Sequence, residues 1–281
     1  MTAPEGTRRP TTTGRVRRLT PEDVDGVLRI VELEELDAPT LTRELMSGDD
    51  YLWLGLDSPD GGLGAVHRSM KWGNRLLLKG VFVSGPLRGS GAALQLAFAL
   101  RDAARDDGYA GLAAWVEPHK PEAALARMLR LRSTGPLVHR FEVRVPDDAP
   151  YGEASVTGCG RLTVDPPEQS AWDPLVADLL TDDSPDTVHW VHDRHRLVLS
   201  GFPAHSVSDV GLVLSAAAPV ARSKGARYLE FPVPAADLSA AFFLASVKAR
   251  RLSRTPVRLG RLDFAAAHQN AVRDGKRPVR A

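Results

Sequence analysis

Apolar residues along this chain change period several times, and each change marks the edge of an element. Val24, Val27, Leu28 and Val31 recur at helical spacing behind Thr20-Pro21-Glu22-Asp23, where Thr20 can cap, Pro21 suits the first helical position and two acids fill the first turn. A short strand, Val16 to Leu19, precedes this helix, and a second short helix is expected over Thr40 to Met46. Tyr51 to Leu56, Gly64 to Met70 and Arg75 to Val83 read as three strands. The breakers Ser58-Pro59-Asp60-Gly61-Gly62 and Gly73-Asn74 separate them, so an antiparallel meander is expected. Ala92 to Asp107 puts Leu94, Ala97 and Phe98 on one side and Arg101, Asp102 and Arg105 on the other, as in a helix packed on a sheet. A strand from Leu112 to Val116, a helix from Pro121 and a strand from Leu137 follow.

From about Tyr151 the plan repeats in weaker form. Arg196 to Phe202 reads as a strand, Ser208 to Ser223 as a helix, Arg227 to Phe231 as a strand, Asp237 to Arg251 as a helix and Val257 to Phe264 as a strand. Gly225-Ala226-Arg227-Tyr228 falls where Gly108-Tyr109 fell in the first half.

The strand ending Val81-Phe82-Val83 runs into Ser84-Gly85-Pro86-Leu87-Arg88-Gly89-Ser90-Gly91 and opens a helix at Ala92-Ala93. Gly89 and Gly91 let the backbone turn tightly, and the N–H groups free at the helix start converge on any anion placed there. A phosphate loop of the Walker type is excluded, because Ala92, Ala93 and Leu94 follow Gly91 and no lysine is present for the terminal phosphates. The dinucleotide fingerprint lacks its third glycine, replaced by Leu94, and the acidic residue expected about 20 positions on after a second strand.

The segment resembles the acyl-coenzyme A loop of the GCN5-related N-acetyltransferases, Gln/Arg-x-x-Gly-x-Gly/Ala after a strand, with Arg88, Gly91 and Ala93 filling the pattern. The resemblance covers roughly residues 15 to 146 in element order and spacing. It implies an α/β fold with a mixed, mostly antiparallel central sheet flanked by helices, in two acetyltransferase-like modules. The implied organisation is a tail at 1–14, an acyl-coenzyme A domain at 15–150, a degenerate second domain at 151–265 and a basic tail at 266–281. It further implies that backbone groups of Arg88, Gly89, Ser90, Gly91, Ala92 and Ala93 hold the pyrophosphate of an acetyl- or other acyl-coenzyme A, with the Arg88 side chain as added charge. Val81 and Val83 would pair with the amides of the pantetheine arm in the manner of a β-strand. The first two helices would help form the acceptor side of the cleft. In the second half, Pro203-Ala204-His205-Ser206-Val207-Ser208-Asp209 stands where a cradle should be, without a glycine pair and with a repelling carboxylate, so no cofactor is expected there.

Aminolysis of a thioester needs a neutral amine, a route for its proton and donors for the oxyanion. The exit of the strand ending at Val116, Glu117-Pro118-His119-Lys120, is where a proton acceptor is sought, and Glu117 and His119 are the candidates. Each is also an ordinary loop residue. The pattern departs from the family in one respect. Glu122-Ala123-Ala124-Leu125-Ala126-Arg127-Met128-Leu129 has no tyrosine to protonate the leaving thiolate. Either the thiolate leaves unassisted, as its modest basicity allows, or Ser133 or water substitutes, or the first domain does not perform ordinary acetyl transfer.

Composition narrows the classes further. At 281 residues, with 43% hydrophobic and 25% charged residues, the chain has ordinary globular values and ample material for a core. No run approaches the about 18 apolar residues of a membrane span, and Met1 to Gly14, rich in Thr, Pro and Arg, has no apolar signal region. Cys159 is the single cysteine, so an intrachain disulfide is excluded and a cytoplasmic location is the expectation. With no base beside it in Thr157-Gly158-Cys159-Gly160, it reads as a small strand residue. His189, His192 and His195 suit a polar hairpin better than a metal site, because alternate strand residues face opposite ways.

The formal charge of +1 hides a polarity: residues 1–150 carry 20 basic and 21 acidic groups, 151–221 carry 3 and 10, and 222–281 carry 13 and 4. The last segment, at +9, reads first as a solvated face balancing the acidic stretch before it. The function expected is acyl transfer from acyl-coenzyme A to an amine of a small molecule or peptide. Two alternatives stand: an aminoacyl-tRNA-dependent transferase, with tRNA held by the basic surface, and a non-catalytic acyl-coenzyme A-binding module. The Ala-, Arg- and Pro-rich composition suggests a GC-rich bacterial genome.

Overall fold

A computed structural model describes residues 14–31, 36–48, 50–72, 74–145, 157–163, 187–199, 217–236 and 238–264. The expected tail at 266–281, nearly all of that at 1–14, and the segment from Pro203 to Asp209 lie outside the described residues. In the first half the strands are β1 (Val16–Arg18), β2 (Tyr51–Asp57), β3 (Leu63–Trp72), β4 (Arg75–Val83), β5 (Gly111–Val116) and β6 (Arg132–Arg144). The helices are α1 (Val24–Leu28), entered through a 3-10 turn at Pro21–Asp23, α2 (Ala38–Met46), α3 (Ala92–Asp106) and α4 (Pro121–Met128). Then come β7 (Thr157–Thr163), β8 (Thr187–Asp193), β9 (Arg196–Leu199), the helix α5 (217–223), β10 (Tyr228–Pro234), α6 (Leu238–Ser246), β11 (Arg250–Arg251) and β12 (Val257–Asp263).

Local chemistry accounts for several boundaries. Asp37 caps α2 by accepting from the Thr40 N–H at 2.8 Å. At the entry to α1, the Asp23 carboxylate receives both the Thr20 N–H and a fork from Arg17 at 2.7 and 2.8 Å. The helix expected to run to Arg251 ends at Ser246 instead: Lys248 stands at φ 57°, and Arg250 then pairs with Glu142 as β11 joins β6.

The described strands form one sheet in the order β1-β2-β3-β4-β5-β12-β6-β10-β9-β8-β7, with β11 against β6. Pairing is antiparallel except for β4 with β5 and β9 with β10. Thus β12, from the far end of the sequence, lies between β5 and β6 of the first half, its Leu259 paired with both Trp115 and Thr134. It also explains why β6 begins at Arg132 rather than Leu137. The stretch containing Gly135-Pro136, which reads as a breaker, is carried at an irregularity in the β12 register between Val257 and Leu259. Arg75 fastens the inserted strand through Asp263 at 2.6 Å, and the Thr255 hydroxyl donates to Glu117 just ahead of it.

Both faces of the first-half sheet are covered, so β2 is buried along nearly its whole length. Leu52, Leu54 and Leu56 pack under α3 with Ala65, Leu76, Leu96, Leu100 and Leu112. Tyr51 and Trp53 face the other way, toward Val27, Leu41, Met70 and Trp72 beneath α1 and α2. Val198 of β9 joins this second layer, so the second half supplies part of the first half's core.

Candidate active site

The strands β4 and β5 pair in parallel only from Arg75–Gly111 to Leu78–Ala114, and beyond that point they separate. A bulge coincides with the parting: Arg68 of β3 faces Gly80, Ser69 faces Leu78, and Lys79 is left over. From Lys79 onward β4 keeps β3 on one side and presents its other edge to a gap. The Ser84 N–H donates to Gly64 at 2.9 Å, so Ser84 and Phe82 point their amides at β3. The intervening Val81 and Val83 direct theirs into the gap, and the Val83 carbonyl accepts from Arg88 Nε at 3.3 Å.

The turn beyond β4 ends in a donor cluster. Gly89 and Gly91 stand at φ 80° and 91°, and a Cβ at either would meet nothing within 4 Å, so the space above them is open. Gly91 caps α3 with its carbonyl, which receives the Leu94 and Gln95 N–H groups at 3.0 Å each. The N–H groups of Gly89, Gly91, Ala92 and Ala93 have no acceptor among the described residues. Those of Ala92 and Ala93 belong to the first turn of a 15-residue helix and that of Gly91 to its cap, where the macrodipole adds positive potential, and Gly89 stands in the turn just before. Ser90 differs from its neighbours. Its N–H and its hydroxyl both return to the Leu87 carbonyl, at 3.1 and 2.7 Å, and serve the turn. Arg88 is exposed beside it.

Glu117 and His119 lie at the exit of β5, in the turn before α4. The Glu117 carboxylate accepts from the Thr255 hydroxyl and pairs with Lys120 at 3.0 Å. The hydrogen bond from Thr255, then that from Lys120, hold it below the usual carboxylate range. His119 is exposed within electrostatic reach of Glu117. Ser133 lines a separate cavity of about 330 Å³ between α4 and β12, with Arg127 and Arg258 at its rim. His195 lies in the turn from β8 to β9, edge-on to Tyr228; the side chains of Cys159, His189 and His192 lie outside the described residues. Among the described residues no cluster suited to a metal ion occurs, and no helix is long and apolar enough to cross a membrane.

Sequence reasoning passed over the polar cluster on the α1/α2 face of the gap. Arg68 projects there from β3 between Val66 and Met70, at an inward position of the strand alternation. It forks onto Glu44 of α2 at 2.8 Å twice and reaches Asp193 at 2.6 Å. Trp53 Nε1 donates to Glu44 at 3.1 Å, Arg194 Nε pairs with Glu44 at 3.2 Å, and Lys79 Nζ pairs with Asp193 at 2.9 Å. Burial pushes the Asp193 carboxyl up, but the charges of Arg68, Lys79 and Arg194 outweigh it and hold the group well below its ordinary range. The readable signal was a charged residue at an apolar-phase position, Arg68 on β3 and Glu44 on α2; nothing local pointed to Asp193 as their partner. On the opposite face His67 is fully buried, with both ring nitrogens unpartnered, and burial pushes its ring down to about 4.

No protein-family model matches the sequence, and no curated protein matches it. Among solved structures, a candidate acetyltransferase from Pyrococcus horikoshii is similar over 92% of this chain and 92% of its own, at 13% identity and a TM-score of 0.52. A tandem GNAT protein from the clavulanic acid biosynthesis pathway matches over 89% of this chain and 98% of its own, at 12% identity and a TM-score of 0.47. A GCN5-related N-acetyltransferase from Sphaerobacter thermophilus matches over 89% and 95%, at 13% identity and a TM-score of 0.47. At such identity the first likeness shows the fold: the chain has an acetyltransferase fold over nearly its whole length, as the sequence resemblance implies.

Proposed function

We propose that this chain transfers an acyl group from a coenzyme A thioester to an amine. The observation that carries the reading is the set of four unpartnered N–H groups at Gly89, Gly91, Ala92 and Ala93, standing at one end of the gap that opens where β5 leaves β4. A pyrophosphate at those donors leaves the pantetheine arm to run along the free edge of β4, where the Val81 and Val83 amides serve as strand-like partners. The thioester then lies toward the Lys79 bulge.

In the step itself the amine nitrogen bonds to the thioester carbonyl carbon, the carbon–sulfur bond breaks and sulfur leaves as the thiolate. The amine proton passes to His119 directly or through water. Glu117, ionised and tied to Thr255 and Lys120, orients the turn and supports the charge His119 gains. In this reading residues 15–150 carry the coenzyme and residues 151–265 serve as scaffold and acceptor wall. The second module lends the first a strand, β12, which lies between β5 and β6.

Calorimetric titration of coenzyme A and acetyl-coenzyme A into the full chain tests the reading. Saturable binding is expected, with affinity lost in Arg88→Glu, which sets a carboxylate beside the donors. No binding by the wild type, or unaltered affinity in the variant, would show that the cradle is assigned wrongly.

A further inference from the structure

The tip of the β8–β9 hairpin brings Asp193 and Arg194 from the second half onto the α1/α2 face of the first, beside the bulge where the gap begins. Among the described residues this cluster counts three cations, Arg68, Lys79 and Arg194, against two carboxylates, Glu44 and Asp193. Four of the five side chains are at least nine-tenths buried, so one positive charge in excess is held largely out of water, an arrangement that favours a compensating anion. Arg194 carries that need in its geometry. Its Nε is committed to Glu44, while one terminal guanidinium nitrogen is buried with no hydrogen-bond partner. Its backbone stands at φ 61°, the left-handed conformation that the two-residue turn between the paired Asp193 and Arg196 requires, at a cost to an arginine of about 1 kcal/mol or more. The cluster reaches the surface at one edge, through the Lys79 side chain at 18% exposure and that of Arg194 at 10%.

We propose that the edge formed by Lys79 and Arg194 is an acceptor subsite for a carboxylate, so that the amine acylated by this chain is itself a carboxylate bearer, as an α-amino acid is. The subsite rests on the coenzyme-dependent reading above for its place in a reaction. A carboxylate entering beside Lys79 displaces the strained tip and takes the orphaned Arg194 donor. One monoanionic group then balances the excess charge. The second module thereby supplies the specificity of the first, across a boundary of more than a hundred residues in sequence.

The test uses the full chain. Release of free thiol from acetyl-coenzyme A is followed over paired α-amino acids and their α-amino amides, with kcat/KM referred to the unprotonated amine, because the amide's amino group is the less basic. Loss of one charge-assisted hydrogen bond corresponds to about 10- to 100-fold in kcat/KM, so acids are expected to exceed amides by at least tenfold. Arg194→Asn keeps a residue that tolerates the left-handed turn. It is expected to erase that preference and leave the Kd of coenzyme A within about twofold. Independently of turnover, sodium acetate at constant ionic strength, with sodium chloride as reference, is expected to raise the Tm of the wild type and not that of Arg194→Asn. Equal rates for acids and amides, or equal acetate protection of both proteins, overturns the subsite and leaves the coenzyme reading standing. Failure of coenzyme binding removes that reading, and the acetate comparison then decides the subsite alone.

Discussion

His67 makes the stability of this protein depend on pH in a way that one substitution removes. Its ring is fully buried on the α3 face of β3, neither nitrogen has a partner, and burial lowers its pKa from 6.5 to about 4. The unfolded chain therefore takes up a proton as pH falls through about 6.5, whereas the folded chain does so only near 4. Above about 6.5 the residue contributes no pH dependence; between there and 4 the unfolded state binds more protons and stability falls with pH. The gap corresponds to about 3 kcal/mol in all, of which about 2 kcal/mol is lost between pH 7 and pH 5. At a chain of this size that is a fall in Tm of roughly 4–8 °C. His67→Leu leaves no titrating group, and at pH 7 it is expected to be neutral or mildly stabilising because two unpartnered buried nitrogens disappear. Urea unfolding of both proteins from pH 7 to 4.5 gives the difference directly; acid loss from carboxylates such as Asp193 is common to both and cancels. Parallel stability curves for the two proteins would refute the reasoning, since they would mean that His67 is hydrated or hydrogen-bonded when folded.

Three other outcomes are expected. Glu44→Gln leaves Arg68, Lys79 and Arg194 facing Asp193 alone, and urea unfolding should show a loss of about 3–5 kcal/mol, with less than about 1 kcal/mol arguing that water already screens the cluster. Gly91→Asp sets a carboxylate among the unpartnered amides at a residue of φ 91°, and calorimetry should show coenzyme A affinity down by about 100-fold or more with the fold retained by circular dichroism. A chain stopped before Val257 lacks β12, exposes the facing edges of β5 and β6 and loses buried Leu259; it should aggregate on expression, and a soluble, coenzyme-binding product would show that the first module closes its sheet without help.

Much of the first half was legible because its determinants are local. The apolar runs of β2 to β4, the breakers between them and the glycines that start α3 each act within a few residues, so spacing alone locates them, although the buried face of α3 runs through Leu96, Ala97, Leu100 and Ala104 rather than through Leu94 and Phe98. The N–H groups left without acceptors at the start of α3 belong to the same class, since a helix start and a left-handed glycine define them without any distant contact. Ser90 shows the limit even there: whether its hydroxyl faces a ligand or the Leu87 carbonyl depends on how the turn closes. Partner choice was not legible. Every strand edge offers the same row of N–H and C=O groups, so nothing in the alternation of Val257 to Asp263 says that it belongs between β5 and β6 rather than beside its neighbours in sequence. The same holds for the charges. Arg68 and Glu44 stand at apolar-phase positions, but nothing local names Asp193 as their partner, and only packing of the β8–β9 hairpin on the first half joins Glu44, Arg68 and Lys79 to it out of water.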